Sequence, residues 1–143
     1  MIQRIHSIFL LLAAAAALGL FGLPLAATSE PVTNSVLFAD AQYQLEDHWS
    51  LMASFGLAGL FLLGAIFLFR NRKMQMNLTL FGVLLSIIGA GVSAYFFFSD
   101  TGANEADPSG GIGLPIATII FGLLAYTYIN KDEKLVRSAD RLR

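Results

Sequence analysis

Cysteine is absent from this chain. That removes disulfides, thiolate zinc sites, iron–sulfur clusters and cysteine nucleophiles together. Histidine is scarce: His6 and His48 stand on separate segments, a poor basis for an internal bis-histidine haem. Charge is scarce too, at 13 % of residues, where a soluble domain carries about 25 %. No nucleophile elbow, phosphate-binding glycine loop or zinc-helix motif occurs. No residue is therefore assigned as catalytic, cofactor-binding or metal-ligating, and the expectation is a non-enzymatic protein without a cofactor or a nucleic-acid partner. With 143 residues the chain has one domain's worth of sequence.

What the chain does contain is hydrocarbon: 56 % of its residues are hydrophobic and its mean hydropathy is +0.67. These residues fall into four long runs at about 8–27, 49–69, 78–98 and 112–129, each near the roughly 20 residues that span a bilayer as helix. The first run has two readings. Leu25-Ala26-Ala27 resembles the small-residue cleavage site of a secretory signal, but the run exceeds the roughly 7–15 residues of a signal's apolar segment, which favours a retained helix. Trp49 opens the second run at a position suited to the headgroup level. Arg70-Asn71-Arg72-Lys73 stops that run, and the short linker to Leu78 makes the second and third spans antiparallel neighbours. Pro115 sits in the first turn of the fourth run, where its missing N–H is harmless.

The charges are segregated. All nine bases (Arg4, Arg70, Arg72, Lys73, Lys131, Lys134, Arg137, Arg141 and Arg143) fall on one side of such a four-span topology. The acids Asp132, Glu133 and Asp140 share that side and leave it a net +6; the other seven acids lie in the loops 28–48 and 99–111, which hold no base. Basic flanks stay cytoplasmic. The expected fold is an all-α integral membrane four-helix bundle with both termini inside, two antiparallel helical hairpins, and a C-terminal helix extending into the cytoplasm as a basic tail, 130–143.

Between lipid-solvated helices, close packing of small residues matters more than hydrophobicity. Gly82, Ser86, Ala90 and Ala94 recur every four residues and are expected to form a helix-packing seam on the third span. No Asp, Glu, Lys, Arg or His lies inside any run, which disfavours a proton relay or ion path. The outer patch Asp40, Glu46, Asp47 and His48 holds the only metal-ligand types in proximity, without recognisable site spacing, and reads as a solvated acidic loop.

The tail is richer than orientation requires. From Lys131 on it has no glycine or proline, and Leu135, Ala139 and Leu142 fall on one helical strip among Lys131, Lys134, Arg137, Arg141 and Arg143. It reads as an anchor on the anionic inner leaflet or as a docking helix for a protein partner. The opening Met1-Ile2-Gln3-Arg4-Ile5 and the closing Lys131-Asp132-Glu133-Lys134-Leu135-Val136-Arg137-Ser138-Ala139-Asp140-Arg141-Leu142-Arg143 resemble the two signatures of a family of small bacterial four-span membrane proteins of unknown function. The resemblance implies a retained first helix, a bacterial inner membrane, and family identity carried by the cytoplasmic ends. The leading functional expectation is an accessory or scaffold protein whose inner surface (Arg4, Arg70, Arg72, Lys73 and the tail) contacts a partner or anionic lipid. Truncation after Asn130 is expected to abolish partner co-purification and spare insertion. The alternative is a small transporter or channel for a neutral or hydrophobic solute, which needs a cavity among the spans.

Overall fold

The computed structural model describes residues 5–140, with the side chains of Ala139 and Asp140 outside the description. Four helices, α1 (Ile5–Gly19), α2 (Trp49–Phe67), α3 (Arg72–Ser99) and α4 (Leu114–Asp140), form an all-α bundle. Each packs on its two sequence neighbours around a ring, α1 closing on α4. The last three are long and apolar enough to cross a membrane; α1, with 15 residues, is shorter.

One spacing organises all four. The buried seam runs through His6, Leu10, Ala13 and Ala17 on α1, and Leu51, Phe55, Ala58, Leu62 and Ala65 on α2. On α3 it passes Gln75, Thr79, Gly82, Ser86, Gly89 and Ser93, and on α4 Thr118, Gly122, Ala125, Ile129 and Asp132, with Ala14, Ala16, Gly59, Val83 and Pro115 buried beside it. The steps alternate four and three, the heptad pattern by which helices crossing at a shallow angle keep one seam facing inward. The strict four-residue stripe expected on α3 leaves this seam. At about 100° per residue, each four-residue step advances about 40° past a full turn. Gly82 and Ser86 are buried, Ala90 is half-buried, and Ala94 has rotated into exposure. The seam continues instead through Gly89 and Ser93. Small residues there admit neighbours closely: a Cβ on Gly82 would stand 2.9 Å from Leu62, and one on Gly89 2.9 Å from Phe55. Seam hydroxyls are satisfied within their own helix, Thr79 on the Gln75 carbonyl at 2.8 Å, Ser86 on Gly82 at 2.9 Å and Thr118 on Leu114 at 2.9 Å.

Two element boundaries differ from the hydropathy runs. The run 8–27 is not one helix: α1 starts at Ile5 and ends at Gly19, and the chain turns at 20–22 before becoming extended. Gly19 and Gly22 weaken the helix, and Pro24 disfavours helical geometry at Leu23. Helix α3 begins at Arg72 rather than Leu78, because Asn71 caps it, its side-chain oxygen accepting from the Met74 N–H at 3.2 Å. The α2–α3 connection is therefore only Leu68–Asn71.

The loops at the opposite end from this connection build a cap. Strand β1 (Ala26–Ala27) is central in a three-stranded antiparallel sheet, between β2 (Gln42–Tyr43) and β3 (Asp107–Pro108). Gly111 lets the chain leave β3, since a Cβ there would meet the Pro24 carbonyl oxygen at 2.6 Å. The loops 28–48 and 99–111 are thus both pinned to the segment after α1. Leu37 and Phe38 are buried, and the Tyr43 hydroxyl reaches the Ser93 hydroxyl at 3.0 Å. Ala41, just before β2, has φ of 64°. A Cβ in this left-handed region costs about 1 kcal/mol, so Ala41→Gly is expected to raise the unfolding midpoint slightly; a lowered midpoint in thermal circular dichroism would contradict this.

Candidate functional site

The basic end of the bundle gathers the chain's chemistry. Phe67 ends α2, the turn follows, and Gln75 in the first turns of α3 is buried and donates to the Ala65 carbonyl at 2.9 Å. That bond pins the start of α3 to the end of α2 and with it the backbone that carries Arg70, Arg72 and Lys73. Helix α4 runs past the end of its apolar stretch without interruption to Asp140. Between the turn and this extension lies an open groove of about 680 Å³, lined by Phe69, Arg70, Asn71, Arg72 and Lys73 on one wall and Glu133 and Val136 on the other.

The Glu133 carboxylate is matched within its own helix, accepting from Arg137 Nε at 3.0 Å. An exposed i,i+4 pair of this kind contributes a few tenths of a kcal/mol. Among the described residues, none of Arg70, Arg72 and Lys73 has an acidic group within ion-pair distance. The groove is therefore a cationic surface with apolar edges. Lys131 lies over the Tyr128 ring at 5.3 Å, and Lys134 and Leu135 are exposed. Of the residues expected to act at this end, Arg70, Arg72 and Lys73 line the groove, while Lys131, Lys134, Leu135 and Arg137 lie along the α4 extension. Arg4, Arg141, Leu142, Arg143 and the Ala139 side chain lie outside the described residues.

The structure adds a pair that no hydropathy run contains. His6 Nδ1 and Asp132 Oδ2 stand 3.3 Å apart between α1 and α4, each side chain 7 % exposed. Neither atom has an aligned hydrogen-bond partner among the described residues. No ionisable residue lies inside the apolar runs, but this pair is buried in the bundle just beyond them. Both residues flank the apolar runs, yet both continue buried seams, His6 preceding Leu10 by four positions and Asp132 following Ile129 by three. That phase was the signal available in the sequence. Truncation after Asn130 would remove Asp132 and strand His6, so it is not a clean test of the tail.

At the cap end the acidic patch disperses into structural tasks. Asp40 Oδ1 accepts from the Gln42 N–H at 3.2 Å, Asp47 Oδ2 from the Gln44 N–H at 2.7 Å, and His48 stacks on Phe96 with centroids 3.7 Å apart. A second concavity of about 270 Å³ opens between α3 and α4 below the sheet, lined by Tyr43, Ala90, Ser93, Ala94, Phe97, Ile116 and neighbours, almost wholly hydrocarbon.

With this geometry in place, the chain's relationship is plain: it belongs to a family described as a domain of unknown function, DUF4293, whose model matches residues 2–142. No curated protein and no solved structure matches the chain.

Proposed function

We propose that this protein is a non-enzymatic accessory or scaffold protein of the bacterial inner membrane, with four spans, both termini cytoplasmic, and a basic inner face that contacts a protein partner or anionic lipid. The observation that carries the reading is the α4 extension, which leaves the bundle as a continuous helix with Leu135 60 % exposed among cations. Support for the membrane comes from the belt of exposed apolar side chains along all four helices, among them Ile8, Leu60, Phe81, Ile87 and Ile120. The short α1 is followed by a non-helical segment in which Leu20 and Leu25 are buried, at 1 % and 5 % exposure, while Phe21 and Leu23 are exposed at 38 % and 45 %. Retention of α1 is favoured by the same packing, because cleavage after Ala27 would remove a helix of the ring and the central strand of the cap.

The test is the combined substitution Lys131→Gln, Lys134→Gln and Leu135→Gln, which alters the exposed face of the extension and keeps the His6–Asp132 pair and the groove. The variant is expected to insert and fold as before but to lose the proteins that co-purify with the full chain from native membranes. Unchanged co-purification would sink the scaffold reading. A second reading, a carrier of a neutral or hydrophobic solute, is favoured by the apolar concavity between α3 and α4. Its lining begins at the cap and reaches only to Ala90, about a third of the way down α3, so a solute path would need a second conformation.

A further inference from the structure

We infer that the groove between the α2–α3 turn and the α4 extension is a binding site for the phosphodiester headgroup of an anionic phospholipid. The inference rests on the inner-membrane reading above and names the ligand of one part of that face. Three observations converge. Arg70, Arg72 and Lys73 converge on one wall, among the described residues without an acid in ion-pair distance, while the opposite wall's Glu133 is already engaged by Arg137. Guanidinium groups pair a phosphate through two parallel N–H donors, and an ammonium adds a point charge. The edges are hydrocarbon: Phe69 is 64 % exposed and Val136 40 %. A free phosphate would find no use for these edges, whereas a phospholipid places its glycerol and first methylenes beside them. The level also fits, because Phe67, 75 % exposed, ends the apolar part of α2 three residues before Arg70. The groove mouth thus sits where the hydrocarbon ends and headgroup phosphates begin. Its walls are set before any lipid arrives, one by the Gln75–Ala65 bond and the other by the unbroken α4.

The test uses the full chain in nanodiscs of phosphatidylcholine containing a minor fraction of phosphatidylglycerol, with annular and retained lipid counted by native mass spectrometry. The protein is expected to retain phosphatidylglycerol in preference to phosphatidylcholine. Combined substitution Arg70→Gln, Arg72→Gln and Lys73→Gln should weaken that preference on the order of 100-fold, from about 1 kcal/mol per interfacial cation. The paired control Lys131→Gln and Lys134→Gln, at the same end but outside the groove, should change it by much less than the roughly 30-fold that two cations would give if every interfacial charge counted alike. Equal loss in the two variants would mean diffuse surface charge and overturn the site. Displacement of phosphatidylglycerol by millimolar inorganic phosphate would mean an ion site and overturn the lipid assignment. Loss of helical circular dichroism in the triple variant would be met with Val136→Asp, which adds a negative charge at the groove edge and should also lower retention. An unchanged preference in Val136→Asp would overturn the site. Lipid retention is read independently of co-purifying protein, so a chain that keeps phosphatidylglycerol but captures no partner separates this inference from the scaffold reading.

Discussion

Asp132→Ala is expected to destabilise the bundle by about 1–3 kcal/mol, the cost of leaving a buried polar side chain without its partner. His6 and Asp132 side chains are each 7 % exposed, so the survivor cannot recover its solvation without moving the helix. The neighbours are apolar or aromatic, with Leu10 and Ile129 buried and Phe9 stacked on Tyr128 at 5.4 Å. Opening would therefore take the first turn of α1 away from α4. The double variant His6→Leu with Asp132→Leu should recover most of the loss, since it leaves no buried polar group without a partner. Thermal unfolding in detergent, followed by circular dichroism, reads both. If Asp132→Ala unfolds like wild type, the pair is not a determinant of stability. If the double variant is as weak as the single one, the site's worth lies in shape rather than charge.

Asp100→Ala should uncouple the cap at a cost of about 2–3 kcal/mol, because it withdraws a charged acceptor from several donors. The carboxylate accepts from Ser35 Oγ at 2.6 Å and from the N–H groups of Val36, Leu37 and Gly102 at 3.1, 3.2 and 2.8 Å. The Ser35 hydroxyl oxygen in turn accepts from the Phe38 N–H at 2.8 Å. Burial alone pushes this carboxyl upward, but the hydrogen bonds from Ser35, Gly102, Leu37 and Val36 outweigh it and hold it below its ordinary value of 3.8. A folded-state value below the unfolded one means that the stabilisation is complete above the ordinary carboxylate range. It is lost as pH falls through the folded-state value. Hydrogen exchange of the Val36, Leu37 and Gly102 amides should therefore be slow at neutral pH and accelerate below about pH 4. In Asp100→Ala it should be fast throughout. Equal protection in the two proteins would show that the sheet, not Asp100, holds the loops.

Much of the architecture was legible in the residues. Apolar runs and one-sided bases defined four helices, the neighbouring second and third among them, and a basic end, because length and hydropathy act locally. The glycines and Pro24 that end α1 were equally visible, but their effect depends on what covers the extended chain beyond Gly19. Asp100 gave no sign of its role, since its partners Ser35, Val36 and Leu37 lie more than sixty positions away.

The basic end shows the same division. The sequence by itself determined that Arg70, Arg72, Lys73 and the tail cations share one end, and that no thiol, metal motif or nucleophile accompanies them. Only the tertiary structure decided which of those charges line a common groove, that Glu133 is spent on Arg137, and that Asp132 belongs to the bundle and not to the tail. Charge count is additive along a chain and can be read from it. Burial of a charge depends on helix phase, and a single three-residue step beyond Ile129 carries Asp132 into the interior while its neighbour Glu133 faces the groove.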